Sequence, residues 1–289
     1  MTVIGVIGGS GVYDLDGLED ARWETIDSPF GAPSDQLLHG TLEGVEYRFL
    51  PRHGRGHRTP PSAIDFRANI DAMKRAGVTD LVSVSACGSL REELTPGAFV
   101  LVDQFIDRTF ARTKTFFDDG VAAHVALADP TCNRLHDALV EAGATTGIEL
   151  VRGGTYLAME GPQFSTRAES HLYRSWGCDV IGMTNMPEAK LAREAELCYA
   201  TVAMVTDYDC WHPHEADVDV ADIVAVLTDN ADRGRSLVAG LAPILQDRPV
   251  PCAAGCDRAL DGAILTAPGA ADPAALARLD AVAGRVLGR

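Results

Sequence analysis

Short runs of β-branched and apolar residues alternate along this chain with segments that have helical periodicity. We predict helices over about residues 62–76, 131–142, 166–177, 187–196 and 219–241. The predicted strands are Val3–Ile7, Tyr47–Leu50, Asp80–Ser85, Phe99–Asp103, Leu150–Leu157, Val180–Met183 and Leu197–Thr206. Strands that alternate with helices are typical of the α/β class, in which a parallel or mixed sheet carries helices on both faces.

Capping signals predict where several of these helices begin and end. Ser62-Ala-Ile-Asp65 and Thr166-Arg-Ala-Glu169 both have the spacing of a capping box, which satisfies backbone N–H groups at a helix N-terminus. Gly77 and Gly143 follow two of the apolar stripes. We expect them to end those helices, because glycine readily adopts the left-handed conformation at a helix C-terminus.

The size and charge of the chain limit its organisation and its partners. Its 289 residues, 46% of them hydrophobic, can bury a large core. Residues 1–245 are predicted to form one domain, and residues 246–289 a partly helical C-terminal tail without an assigned role. The net charge of −16 disfavours nucleic acid and anionic membranes as partners. Because the sequence contains neither a basic leader nor a long apolar stretch, we expect a cytoplasmic protein.

Seven cysteines are spread over the chain, mostly in apolar contexts. We expect most of them to be small core residues in a reducing compartment. Cys252 and Cys256 look paired, and their spacing fits a disulfide or half of a metal site. Because no histidine pair of suitable spacing accompanies them, we predict a structural role and no bound metal.

Two carboxylates stand at the end of an apolar run, residues 199–205, that is predicted to be a buried strand. An extended backbone points Asp207 and Asp209 to the same side. The ends of parallel strands are where open α/β sheets keep their ligand sites. The alternative is that the pair only begins a solvated turn, and these two residues alone do not decide between the interpretations.

Two other segments that follow strands are suited to binding phosphate. Gly8-Gly9-Ser10-Gly11 brings backbone N–H groups and a hydroxyl together, although a plain tight turn explains it equally well. The segment matches neither a dinucleotide-binding loop nor a Walker loop. Residues 51–58 contain three arginines and two histidines, among them Arg52 and His53. In so acidic a chain this cluster favours an anion site over a solvated loop.

Further strand and helix ends carry hydroxyl, small or aromatic residues. Ser85-Ala86 lies at the end of one buried strand and Met183-Thr184 at the end of another. Phe164 and Ser165 lie directly before the third predicted helix. There the aromatic ring can stack on a base, or it can serve only as a hydrophobic contact for the helix.

Together these segments resemble the nucleoside phosphorylase superfamily and, within it, the methylthioadenosine phosphorylases. The resemblance extends over about residues 3–245. It implies a single α/β domain around a mixed, distorted, barrel-like sheet with flanking helices, and assembly into a homotrimer. The matching motifs are GVIGGSG at 5–11, PRHGRGH at 51–57, SACGSLREELTPG at 85–97, DQFIDRT at 103–109, MEGPQFSTRAES at 159–170, DVIGMTNMPEAKLAREAELCYA at 179–200 and TDYDCW at 206–211.

The resemblance also implies which residues bind each part of the substrate. Ser10 and Ser85 stand where the family often has threonine, so the hydroxyl donor is kept. Val220 and Ile223 would line the pocket for the 5′ substituent, and His124 would reach the 5′ pocket of the neighbouring subunit. Phosphate is assigned to Ser10, Arg52, His53, Ser85, the Ala86 amide and Thr184, and the nucleoside to Phe164, Ser165, Met183, Asp207 and Asp209.

The reaction implied by the resemblance is phosphorolysis of 5′-methylthioadenosine to adenine and 5-methylthioribose 1-phosphate, in purine and methionine salvage. Asp207 would act as the general acid toward the purine with Asp209 beside it, and the two roles are interchangeable. Inorganic phosphate is a co-substrate, and we expect neither a cofactor nor a metal.

Three alternatives stay open at this point. One is a broader purine nucleoside phosphorylase that acts on adenosine or on 6-oxopurine nucleosides such as methylthioinosine. Another is a regulatory protein that binds a nucleotide or anion without turnover. A cysteine- or serine-dependent hydrolase is disfavoured, because the sequence contains no nucleophile elbow.

Overall fold

A computed structural model describes residues 1–9, 11, 15–213, 220–267 and 269–288 of the chain, without the side chains of residues 220–225 and 227. The strands are β1 (Val3–Gly8), β2 (Glu19–Glu24), β3 (Leu37–Leu42), β4 (Val45–Pro51), β5 (Asp80–Ser89), β6 (Phe99–Val102), β7 (Gln104–Asp107), β8 (Leu150–Arg152), β9 (Thr155–Ala158), β10 (Val180–Gly182) and β11 (Cys198–Asp207). The α-helices are α1 (Phe66–Arg75), α2 (Asn133–Thr146), α3 (Arg167–Ser175), α4 (Asn185–Glu194), α5 (Val220–Ala239), α6 (Ala242–Leu245), α7 (Pro273–Arg278) and α8 (Asp280–Leu287). Among these helices, none has both the length and the apolar character that crossing a membrane requires.

The strands form one mixed sheet that branches at β5. Its main path runs β2-β3-β4-β1-β5-β10-β9-β7. Strand β5 pairs in parallel with β1 near its beginning and antiparallel with β10 at its end. Along its other edge, β5 pairs in parallel with β11, which leads on to β6 and β8. The predicted fold class, a single α/β domain with a mixed, distorted sheet, is therefore confirmed.

The parallel strands β4, β1, β5 and β11 are neighbours, so their carboxyl ends meet at one edge of the sheet. Gly8 lies opposite Pro51 in the β1–β4 register. Gly88 lies opposite Asp207 in the β5–β11 register, after a break between Val205 and Asp207. This edge collects the glycine-rich turn, the basic segment and the two carboxylates that the sequence singles out.

Both faces of the central strands are covered by hydrophobic core. In β11, Tyr199 and Val205 pack into one cluster, whereas Val202 and Met204 pack into the other. Burial on both faces explains why these strands are continuous apolar runs rather than alternating ones. Through α7 and α8, the C-terminal tail packs into the same cluster as Tyr199 and Val205, where Leu279 and Val282 are fully buried.

The predicted helix ends are partly right. The Thr166 capping box is confirmed, with both reciprocal bonds present at the start of α3. The capping box at Ser62 is wrong: Asp65 caps α1 by accepting from the Ala68 N–H at 3.0 Å. The Ser62 hydroxyl instead bonds Glu160 Oε1 at 2.6 Å.

The predicted end of the second helix at Gly143 is also wrong. Helix α2 continues to Thr146 and ends at Gly147, whose φ of 73° is left-handed. Gly143 is buried inside the helix, where a Cβ atom would lie 2.6 Å from the Ile148 carbonyl oxygen. Its glycine therefore permits close packing of the helix against the returning chain.

Candidate active site

Strand β11 delivers Asp207 and Asp209 to the sheet edge through a tight turn. Both oxygens of Asp207 accept bonds at 2.7 Å, one from the Thr206 hydroxyl and one from the Asp209 N–H. Asp209 has a left-handed φ of 53°. Its Oδ2 is buried and has no hydrogen-bond partner in the described part of the chain. A buried oxygen without a partner is costly, so the site is built to receive a donor at this atom.

Burial raises the pKa of both carboxyl groups above the ordinary range of aspartate. The Ser170 and Ser165 hydroxyls beside Asp209 lower its pKa, but burial outweighs them and the charge of Asp207 raises the pKa further. Bonds from Thr206 and from the Asp209 N–H act in the opposite direction on Asp207 but do not cancel the effect of burial. The pair is therefore biased toward holding a proton, which suits a general acid.

Gly88 allows this turn to lie against β5. A Cβ atom at position 88 would lie 2.9 Å from Asp207 Oδ1 and 3.3 Å from the Asp209 nitrogen. Any larger residue would push the carboxylates away from the sheet. The sequence motif around Ser85 contains this glycine, but its steric role follows only from the register of β5 and β11.

The segment before α3 lies beside the carboxylate turn. The Cys210 thiol donates to the Ser165 carbonyl at 3.3 Å, and the Ser165 hydroxyl contacts Met159 Sδ at 3.8 Å. The Met159 N–H donates to the Gly182 carbonyl at 2.9 Å, directly before Met183. Phe164 is 47% exposed, so its ring is accessible at the surface of this region. The structure thus brings Phe164, Ser165 and Met183 to the same region as Asp207 and Asp209.

Arg52 is fully buried and bonded to protein atoms on most sides. Its Nε lies 3.0 Å from Glu188 Oε2, in an ion pair that has almost no solvent exposure. Nη2 donates to Ser83 Oγ at 2.6 Å and to the Ile7 carbonyl at 3.0 Å. Nη1 donates to the Val84 carbonyl at 3.1 Å, which leaves one N–H of Nη1 without a protein acceptor among the described residues. Bidentate hydrogen bonding of Arg52 to phosphate would therefore require some of these contacts to break.

A buried polar network connects Arg52 with Ser85. Glu188 also accepts from the Tyr199 hydroxyl at 2.9 Å. Asn185 Nδ2 donates to Ser83 Oγ at 2.9 Å, and the Ser85 hydroxyl donates to Asn185 Oδ1 at 3.0 Å. Glu188 and Asn185 are site residues that the sequence does not single out. Their signal is a pair of polar side chains within the long motif at 179–200.

His53 is a neutral base at this edge. Its Nδ1 lies 2.8 Å from the Thr59 carbonyl, which fixes the proton on Nδ1 and leaves Nε2 as an acceptor. Burial lowers the pKa of His53 to about 4, and the charge of Arg52 acts in the same direction against the bond to Thr59. The ring stacks on His57 with the centroids 4.3 Å apart. A neutral Nε2 can accept a hydrogen bond from a protonated phosphate oxygen.

Thr184 and Ala86 complete the predicted phosphate residues that the structure describes. Thr184 is buried at the N-terminus of α4, and its side chain does not cap the helix. In the chain it directly precedes Asn185, which is a member of the network around Arg52. Ala86 is half-buried in β5 beside Ser85.

Three of the remaining predicted residues cannot be placed relative to this edge. Ser10 lies outside the described residues, and so do the side chains of Val220 and Ile223 at the start of α5. His124 is exposed, and its N–H donates to the Ala263 carbonyl at 2.9 Å, so within one chain it contacts the tail.

A second buried network holds Met183 in position. Glu160 accepts from the Ser62 hydroxyl, the Phe110 N–H and Arg112 Nε. Burial opposes its ionisation, but these bonds lower the pKa of Glu160 to about 2. Arg112 Nη1 also donates to the Met183 carbonyl at 2.6 Å. The motif at 159–170 contains Glu160, but its sequence alone does not indicate this role.

Named enzymes share most of this sequence. S-methyl-5′-thioadenosine phosphorylase of Cereibacter sphaeroides is 66% identical over 286 residues, which are 99% of each chain. The enzyme of that name from Rhodospirillum rubrum is 63% identical, over 99% of this chain and 97% of the relative.

Solved structures of enzymes with similar names are also similar to this chain in fold. A crystal structure of a methylthioadenosine phosphorylase from an antarctic soil metagenomic library superposes with a TM-score of 0.90 at 45% identity, over 97% of this chain and 98% of that one. Methylthioadenosine phosphorylase from Schistosoma mansoni in complex with adenine gives 0.83 at 35% identity, over 90% and 97%. The family model described as the phosphorylase superfamily matches residues 3–243. With its sheet, its site and these relatives in agreement, the chain belongs to the phosphorylase superfamily.

Proposed function

We propose that this protein catalyses the phosphorolysis of 5′-methylthioadenosine, releasing adenine and 5-methylthioribose 1-phosphate. Family membership and the names of the most similar relatives support the reaction class. The observation that carries the proposal is the buried carboxyl pair with raised pKa values, in which Asp209 Oδ2 has no partner among the described residues. We assign the reaction to purine and methionine salvage in the cytoplasm.

The carboxyl pair would protonate the leaving purine. As the bond between C1′ and N9 breaks, negative charge accumulates on the ring, and a proton delivered to N7 lets adenine leave as a neutral base. We propose that Asp207 and Asp209 hold one proton between them, donating it toward N7 and accepting from the 6-amino group. General acid help of this kind is typically worth about 10²–10⁴-fold in rate.

Phosphate would be held on the other side of the ribose. Ser85, Thr184 and the neutral His53 supply hydroxyl and imidazole contacts at the sheet edge, and Arg52 supplies one N–H and its charge. Fixing phosphate close to C1′ is positioning and electrostatics, because the ribosyl transition state is already cationic. The chemistry assigned here uses these side chains and the two substrates.

Product analysis tests the proposed reaction. Methylthioadenosine, adenosine and inosine are each incubated with the enzyme, with and without phosphate. We expect adenine from methylthioadenosine only when phosphate is present. Free methylthioribose formed without phosphate would identify a hydrolase, and binding without any product would identify a regulatory protein. Equal rates with inosine would identify a broader purine nucleoside phosphorylase.

The base is expected to be a 6-aminopurine. Two carboxyl groups can accept hydrogen bonds from an amino group, but they oppose the lone pairs of a 6-oxo group at about 1–3 kcal/mol for each unpaired acceptor. Competition between methylthioadenosine and methylthioinosine, measured as the ratio of kcat/KM, checks this. The ratio should fall in Asp207→Asn, because an amide can turn a donor toward the oxygen. Comparable rates for both nucleosides with the wild-type enzyme would contradict the assignment.

We also propose that the chain assembles as a homotrimer with sites shared between subunits. The support is the resemblance and the surface position of His124, outside the site of its own chain. Light scattering of the purified protein should give three times the chain mass of 30.7 kDa. His124→Ala should then raise the KM for methylthioadenosine while leaving the KM for phosphate unchanged. A fully active monomer would overturn this proposal.

A further inference from the structure

Four cysteines from distant parts of the chain meet in one buried cluster. Cys132 precedes α2, Cys198 begins β11, and Cys252 and Cys256 lie in the C-terminal tail. The four sulfur atoms all lie within 4.8 Å of one another, and all four residues are buried. Cys132 Sγ and Cys252 Sγ are 3.7 Å apart, and none of the four is in a disulfide.

These distances match a metal site better than a pair of disulfides. In tetrahedral zinc sites the Zn–S bonds of about 2.3 Å place neighbouring sulfurs about 3.8 Å apart. A disulfide needs about 2.05 Å between two sulfurs and brings them together only in pairs. Four mutually close thiols also supply a complete ligand set, which is typical of a structural rather than a catalytic site.

We propose that Cys132, Cys198, Cys252 and Cys256 bind one structural zinc ion. The sequence predicts no metal, because no histidine pair of suitable spacing accompanies Cys252 and Cys256 and a second ligand pair is therefore missing. The fold supplies that pair from Cys132 and Cys198, which are too far away in sequence to give a spacing signal.

Two guanidinium groups lie beside the sulfur cluster. Arg248 Nη1 lies 3.7 Å from Cys198 Sγ, and Arg134 bonds the Cys252 side chain. A zinc ion with four thiolates carries a net charge of −2, which the two guanidinium groups would offset in part, because both also pair with the buried Asp80. Donors directed at the sulfurs of a metal site hold the thiolates in place and stabilise their charge.

The zinc would fasten the C-terminal tail to the core. Cys252 and Cys256 enclose a short turn in which the Gly255 N–H donates to the Cys252 carbonyl at 2.9 Å. Cys198 lies at the opposite end of β11 from Asp207, a separation of roughly 30 Å along a strand of 10 residues. The ion would therefore stabilise the fold and take no part in the reaction. This also gives the tail the role that the sequence left open.

Metal analysis of the intact protein tests the proposal without using activity. The protein is expressed in zinc-supplemented medium, purified under reducing conditions without chelator, and analysed for metal by mass spectrometry. We expect about one zinc per chain. Exchange with Co²⁺ should give the visible bands and sulfur-to-cobalt charge transfer of a tetrahedral tetrathiolate.

Serine variants identify the ligands. Cys132→Ser and Cys252→Ser should each reduce bound zinc to less than about a tenth of the wild-type content. Cys178→Ser is the matched control, since Cys178 is equally buried but lies in a different hydrophobic cluster. It should keep one zinc per chain.

Three results would overturn the proposal. One is wild-type protein that carries no zinc and gives no thiolate charge-transfer band when Co²⁺ is added under reducing conditions. Another is a disulfide between any two of these four residues in freshly purified protein, found by peptide mapping. The third is full zinc content in both serine variants. Should the variants fail to fold, the zinc content and the cobalt spectrum of the wild-type protein decide the question.

Discussion

Asp207→Asn and Asp209→Asn are each expected to lower kcat by about 10²–10⁴-fold while the fold stays intact. An amide keeps the shape of the carboxyl group but cannot deliver a proton. In Asp207→Asn the amide oxygen can still accept from the Asp209 N–H, so the turn that this bond stabilises should persist. Of the two variants, the one that removes the actual proton donor should lose more kcat, whereas the one that removes its partner should raise the KM for the nucleoside more.

The pH profile of kcat gives a second measurement of the same carboxyl pair. Burial raises both pKa values, so the protonated form persists to higher pH than in an exposed aspartate. Activity that needs this proton is lost as pH rises through the raised pKa, and this alkaline limb should be absent from the residual activity of the variants. Glu92→Gln is the control, because this exposed carboxyl group lies near the same edge. Wild-type kcat in both aspartate variants would show that another group protonates the purine.

The raised pKa values also have a consequence for stability. A carboxyl group whose pKa is higher in the folded state binds its proton more tightly there, so folding stability is lost as pH rises through the folded pKa. Above this window the buried charges of Asp207 and Asp209 destabilise the protein. The asparagine variants should therefore unfold at an equal or higher temperature than the wild type at alkaline pH. Loss of activity together with equal or greater stability is the pattern expected of a strained functional site.

The sequence predicts the central strands well and the peripheral ones poorly. Strands β1, β5 and β11 are buried on both faces, so each is an apolar run that is visible in the sequence. Strand β2 is mostly exposed, and its residues carry no periodic pattern. Its pairing with β3 depends on tertiary contacts that local sequence does not encode.

The same distinction holds for the site. Polar residues that interrupt an apolar strand end, such as Asp207 and Ser85, are conspicuous in the sequence. Glu188, the partner of Arg52, is not conspicuous in the sequence, since it follows Arg52 by 136 positions. The basic segment predicts that an anion site exists, but only the three-dimensional structure shows that Arg52 is already paired with Glu188.

Arg52→Ala is expected to destabilise the protein by about 3–5 kcal/mol, far more than a surface arginine would. The substitution leaves the Glu188 carboxylate buried without its cation, and it leaves the Ile7 and Val84 carbonyls without their donor. The free energy of unfolding from urea titration measures the loss. Arg58→Ala removes an exposed arginine from the same basic segment and should change stability by no more than about 0.5 kcal/mol.

A double substitution separates the ion pair from a direct role in binding phosphate. Arg52→Met with Glu188→Met removes both charges, so it should cost clearly less than the sum of the two single substitutions. If the main role of Arg52 is to stabilise the structure of the site, the double variant, in which no buried charge is left unpaired, should bind phosphate within a few-fold of the wild type. Suppose instead that Arg52→Ala keeps wild-type stability and raises only the KM for phosphate. The guanidinium would then contact phosphate directly. A single bond from the N–H of Nη1 that has no acceptor among the described residues leaves the ion pair with Glu188 intact, whereas a bidentate contact would require that pair to open when the substrate binds.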